Sequence, residues 1–229
     1  MTGKARPFSA CLLLLLSLVF VAPAGAGCND DREPGMDWSG CKKTNKMLND
    51  SDFTGSRFDR ANLIQSDLDE SLFVGASMIR TDMAYTTARR ARFENAVMTR
   101  SIGYRSVFDE AIVKQSDLGK SEYFRASFRK AEISDVDWSK AELGRVDFSD
   151  ASLRDVMFHF SNLSRVVFAG AKLDEVDFKG AYTFRTRFEN TDLSRVRNLS
   201  QLQLALACGD ENTVLPKGLN APQHWPCQE

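Results

Sequence analysis

The sequence predicts an all-β solenoid built from a very short repeat, and three observations predict it. From Leu48 to Leu193 a centre recurs at every fifth residue, and 27 of the 30 centres are Leu, Phe, Met, Ile, Val, Tyr or Trp; the exceptions are Ala88, Gly103 and Thr183. Two residues before each centre, 29 of the 30 positions hold Ala, Ser, Thr or Val, and only Lys46 departs. The phase does not slip over this span. A period of five suits neither an amphipathic helix nor an alternating strand. A fixed short repeat marks a stacked architecture, in which each unit buries its apolar face only against its neighbours. The centre and the small residue two before it then point inward, and the other three positions point out.

Units such as Ala61-Asn62-Leu63, Ser66-Asp67-Leu68, Ser116-Asp117-Leu118 and Thr191-Asp192-Leu193 carry a further pattern. In these units, and across about two thirds of the chain, the sequence resembles the pentapeptide-repeat family with its A(D/N)LxX motif. The resemblance implies a right-handed quadrilateral β-helix; four five-residue sides make a coil of 20 residues, and the residues at the two ends add short terminal caps and a short C-terminal helix to the expected fold. Stacked at the strand spacing of ~4.8 Å, the repeat region 46–196 makes a rod roughly 36 Å long. Every twentieth residue then shares a column: Phe58, Met78, Met98, Leu118, Trp138, Phe158 and Phe178 in one, Leu63, Met83, Gly103, Tyr123, Leu143, Leu163 and Thr183 in another. Trp138 is large for such a core and Gly103 leaves a gap, so local irregularity is expected around 88, 103 and 123.

Residues 1–26 read as a secretory signal: Lys4 and Arg6, then an apolar run from Cys11 to Ala22, then Ala24-Gly25-Ala26 as a small-x-small cleavage site. The run is short for a membrane span, so no transmembrane segment is expected in the mature chain. Lipid attachment at Cys28 is the alternative, but Gly25-Ala26-Gly27 lacks the usual Leu. Periplasmic or secreted localisation follows as the expectation. Residues 27–45 form an N-terminal cap in which Trp38 covers the first coil, although Lys43 sits at a centre position. Residues 197–229 form the exit: Ser200-Gln201-Leu202-Gln203 opens a short helix with a capping box, Leu202, Leu204 and Leu206 give it apolar surface, Cys208-Gly209 ends it, and Trp225 folds the tail back. After the signal, Cys28, Cys41, Cys208 and Cys227 remain. An oxidising compartment favours disulfides. Four cysteines allow three pairings; a rigid rod holds its ends apart, which favours Cys28–Cys41 and Cys208–Cys227.

No catalytic constellation emerges: there is no GxSxG, P-loop, GxGxxG or HExxH. His159 sits one place after a centre and reads as a solvated surface residue. The many Asp residues fall where the family pattern has Asp or Asn. No cofactor or metal is expected, although acidic residues gather at one corner (Asp135, Asp155, Glu175, with Asp117, Asp137 and Asp177) and invite a question about Ca²⁺. The chain holds 30 basic and 31 acidic residues. Some cytoplasmic relatives protect DNA gyrase through a strongly negative, duplex-like surface. A nearly neutral, exported chain does not suit that role, and no nucleic-acid partner is expected.

One outward feature is ordered. Residues twenty apart read Gln65, Tyr85, Arg105, Arg125, Arg145, Arg165, Arg185, preceded at three places by Tyr104, Phe124 and Phe184; the preceding side ends with Arg60, Arg80, Arg100, Lys120 and Lys140. Like charges stacked at ~4.8 Å repel unless offset. Either Glu122 and Glu142 satisfy the ladder, or it is a docking strip for an anionic envelope protein or polymer, since arginine beside aromatics is common at interfaces. The expectation is a non-enzymatic scaffold or binding rod. The alternatives are a solenoid enzyme acting on an extracellular polymer and a self-associating structural rod.

Overall fold

A computed structural model describes residues 27–227, so the expected signal over 1–26 lies outside the described residues. All 30 centres from Leu48 to Leu193 are buried, and so are all 29 small residues two places before them; Lys46 is exposed. The inward pair of each unit is therefore the pair that the periodicity assigns. Chain direction changes after each centre. Every fifth residue from Asn45 to Asn190 has positive φ, including arginines such as Arg125 (φ 61°) and Arg145 (φ 62°). Four such bends close a 20-residue, right-handed, four-sided coil.

Stacking is parallel and in a 20-residue register. On one side, β1 (Arg92–Glu94), β2 (Ile112–Lys114), β3 (Glu132–Ser134), β4 (Ser152–Arg154) and β5 (Lys172–Asp174) form a sheet in chain order. The other three sides are joined rung to rung by single bridges. One column runs Asp37, Arg57, Ser77, Val97, Asp117, Asp137, Met157, Asp177, Arg197. Its nine rungs give a rod of about 38 Å at the strand spacing.

Polar residues hold the bends. The Asp or Asn one place before a centre accepts a hydrogen bond from the backbone N–H two residues on, as in Asp52 from Thr54, Asn62 from Ile64, Asp117 from Gly119 and Asp137 from Ser139. This Asx-turn geometry gives the Asp/Asn of the repeat its physical purpose. Inside, Ser and Thr donate to the carbonyl of the centre residue one coil back: Ser71 to Leu48, Thr81 to Phe58, Thr86 to Leu63 and Thr186 to Leu163. The hydroxyls are thus buried without loss of partners.

The irregularity expected near 103 and 123 does not occur. A Cβ on Gly103 would fall 2.2 Å from the Tyr123 ring. The ring therefore fills the volume that Gly103 vacates. Its hydroxyl lies 2.9 Å from the Ser101 Oγ, burial pushes its pKa up, and the bridge between Ile102 and Glu122 continues unbroken. Trp138 also fits, fully buried and stacked on Phe158 at 5.7 Å.

Both ends are closed. Trp38 is buried against Phe53 and Phe58, and Lys43 lies 3.7 Å from its ring centroid, which is how a lysine is accommodated at a centre. Cys28 pairs with Cys41 and Cys208 with Cys227, each with Cα atoms 5.4 Å apart. At the exit, α1 (Gln201–Leu206) opens on Ser200 with both bonds of the capping box and ends at Ala207. Of its leucines only Leu204 is buried; Leu202 is 81% exposed, contrary to the expected apolar cover. The Trp225 indole folds over Gly209 and donates to the Ala207 carbonyl at 2.7 Å.

Candidate functional site

The bends carry the candidate site. Each is a backbone corner whose residue is forced outward, so whatever the chain places there stands in a column parallel to the rod axis. The corner after the Leu63 side holds Gln65, Tyr85, Arg105, Arg125, Arg145, Arg165 and Arg185; the corner before it holds Arg60, Arg80, Arg100, Lys120, Lys140, Phe160 and Gly180. All ten cations are exposed. The side between them carries only three carboxylates, Asp82, Glu122 and Glu142.

The expected neutralisation by Glu122 and Glu142 is absent. Among the described residues, none of the ten cations has a carboxylate oxygen within 4.0 Å. Glu142 instead accepts from the Asn162 side chain at 2.8 Å, and Asp82 accepts from the Ala84 N–H. Elsewhere the chain does pair its arginines: Arg57 with Asp59, Arg89 with Asp69, Arg187 with Glu189, and Arg195 with Asp174. Unpaired cations such as Lys130, Arg154 and Lys172 also occur on other sides, but the two edges of this side hold ten of them in register.

Aromatic rings take the place of carboxylates. Tyr85 meets Tyr104 edge-on at 5.4 Å, and Tyr104 stacks on Phe124 at 6.1 Å with planes 3° apart. Arg105 lies 5.4 Å from the Tyr104 centroid; Arg125 and Arg145 lie 5.4 and 6.0 Å from that of Phe124. Gly144 makes this possible, because a Cβ there would meet Phe124 at 3.0 Å. A ring orders a guanidinium without cancelling its charge, so the middle of the ladder is held in place and stays positive. Phe184 stands apart, beside Tyr182 and an open groove of about 620 Å³ bounded by Arg185, Leu206, His224 and Trp225.

The two rows are offset. One is charged in the first five layers (60 to 140), the other in the last five of seven (105 to 185). The charge therefore crosses the side obliquely, from Arg60 to Arg185.

Two other expectations resolve differently. His159 is not a solvated residue without a partner; its Nε2 lies 3.0 Å from Asp177 one coil on. Burial alone would raise the Asp177 pKa, but bonds from Asn198 and His159 outweigh it and hold the carboxyl below its usual value. Asp177 also accepts from the Lys179 N–H, so the group fastens the last coil. At the acidic corner, Asp117 and Asp137 accept bonds from their own turns, Glu175 pairs with Arg195 and Arg197, and no cluster among the described residues could hold a metal ion.

The disulfide pairs point to an environment outside the cytoplasm. No helix among the described residues is long and apolar enough to cross a membrane.

The family model for pentapeptide repeats matches in eight copies, at residues 47–73, 61–100 and 161–197. No curated protein matches. Among solved structures, HetL, a pentapeptide repeat protein involved in heterocyst differentiation regulation from the cyanobacterium Nostoc sp., is 17% identical, with 84% of this chain and 92% of that chain covered and a TM-score of 0.41. Full-length QnrB1, a plasmid-mediated fluoroquinolone resistance protein, is 17% identical, with 79% and 91% covered and a TM-score of 0.43. A pentapeptide repeat protein from the thylakoid lumen of Arabidopsis thaliana is 21% identical, with 69% and 84% covered and a TM-score of 0.25. The matched stretches lie in the region that winds into this four-sided coil, and these stretches are pentapeptide repeats.

Proposed function

We propose that this protein is an exported, non-enzymatic binding rod that docks an anionic partner of the cell envelope on its basic side. The observation that carries the reading is the set of ten exposed, unpaired cations on one side of a chain whose formal net charge is only −1. Unpaired like charges stacked at ~4.8 Å raise the energy of the isolated rod. A partner that supplies carboxylates or phosphates relieves that repulsion, and the rigid coil pre-organises the array at little entropic cost on binding. Export is supported by the charged start, apolar run and small-x-small site of residues 1–26, together with the two disulfides. The carboxylate beside His159 is engaged structurally: both oxygens of Asp177 hold Asn198.

The test is charge reversal of Arg125, Arg145 and Arg165 to Glu, followed by affinity capture from envelope extract. These side chains make no ion pair, so folding is expected to be unchanged by circular dichroism. Partner recovery is expected to collapse, and recovery equal to wild type would reject the strip.

A further inference from the structure

The geometry points to a particular kind of occupant: we infer that the basic side receives an acidic α-helix of a partner protein, laid obliquely from the Arg60 corner to the Arg185 corner. This rests on the reading of that side as a docking surface and adds what the partner looks like.

Spacing separates the candidates. Successive cations on either edge stand one rung apart, about 4.8 Å. In an extended acidic chain, residues on one face recur at roughly 6.6–6.8 Å, so each rung loses about 2 Å of register. A helix with carboxylates at i, i+3 or i+4, and i+7 repeats every ~5.4 Å along its axis. Its drift is ~0.6 Å per rung, well within the reach of an arginine side chain. Inclining the helix removes even that: at roughly 27° to the rod, 5.4 Å along the helix projects to 4.8 Å along the coil.

The charges on this side are themselves oblique, as the offset of the two rows requires. Along the two edges, the first two layers carry cations only at Arg60 and Arg80, the last two only at Arg165 and Arg185, and the middle three on both edges. Seven layers span about 29 Å, the length of a helix of about 20 residues. Tyr104 and Phe124 lie mid-path, where the helix crosses, and supply apolar surface for the stems of its acidic side chains. A flat anionic membrane would be indifferent to the offset, and a flexible polyanion would be indifferent to the helical repeat.

The experiment uses the full mature chain and three fluorescent peptides of equal length and Glu content. One carries its Glu residues in a single helical row, one has them spread around an equally helical peptide, and one is a Gly/Ser-rich chain that does not form a helix. Vesicles of phosphatidylglycerol in phosphatidylcholine form a fourth probe. The row peptide is expected to bind ~10-fold or more tighter than the other two peptides. Arg60→Glu/Arg80→Glu and Arg165→Glu/Arg185→Glu should each weaken it, because they remove opposite ends of the path. Arg154→Glu, on β4 at the opposite side of the rod, should not. Equal affinity for all three peptides, or binding of vesicles alone, overturns the helix while leaving an anion-docking side. Failure of every anionic probe to bind overturns the docking reading as well.

Discussion

Gly103 and Tyr123 share one volume, and the pair shows how single residues set the core. Gly103→Ala would drive a methyl into the ring at 2.2 Å, an overpacking expected to cost about 1–3 kcal/mol. Chemical denaturation would check it, with Gly103→Ala/Tyr123→Leu recovering part of the loss; no recovery in the double variant would mean that the ring is not the obstacle. Carboxylates are the other residue-scale device. Asp37, Asp52, Asp192 and Asp210 have lowered pKa values, set chiefly by hydrogen bonds from Ser39, Thr54, Ser194 and the Asn190 N–H respectively, and Asp177 is lowered as described above. A carboxyl whose folded pKa lies below its unfolded value stabilises the fold above the unfolded pKa, and the contribution fades as pH falls through the folded one. Thermal stability should therefore be level from neutral pH down to about 5 and drop below ~4. The drop should be shallower in Asp177→Asn, and a variant matching wild type at every pH would remove Asp177 from this account.

The repeating side is the element of this fold, and its outline was legible in the sequence because burial follows the five-residue phase so closely. Leu48, Phe53 and their successors announced the inside, and the cysteine pairing followed from two clusters at opposite ends. The bends were less legible. Gly35, Gly40, Gly55, Gly75, Gly170 and Gly180, with Asn45, Asn95 and Asn190, share a single phase, which was the available signal for left-handed backbone. Charged and bulky side chains at the other bends, such as Arg125, Lys140, Glu110 and Phe160, hid it. The state of the ladder was not legible at all, because sequence shows that Glu122 and Glu142 lie on the same side but not that Asn162 engages Glu142 or that rings engage the guanidiniums. The terminal elements act as lids on exposed rungs. Cys208 pairs with the final layer through Arg187, and its disulfide anchors the turn bearing Trp225. Replacing Cys208 and Cys227 by Ser is expected to cost ~3 kcal/mol and to speed hydrogen exchange at the Phe188 amide, which donates to the Cys208 carbonyl. Unchanged exchange there would show that the tail is not a lid.

At the scale of the molecule, the coil turns a linear pattern into a polarised rod. The arginine edge lies diagonally across the coil from the edge bearing Asp135, Asp155 and Glu175, so near-zero net charge conceals a strong transverse asymmetry. Association on the basic side should accordingly weaken steeply with salt. All of this depends on residues twenty apart lying over one another at the corners. The most direct measurement is disulfide trapping in two double variants under mild oxidation. Arg125→Cys/Arg145→Cys places cysteines one rung apart at about 4.8 Å, within bridging range, whereas Arg125→Cys/Lys140→Cys places them on different edges. Rapid intramolecular closure in the first and none in the second is the predicted result; closure in both at similar rates, or only in the second, would contradict the register and the ladder built on it.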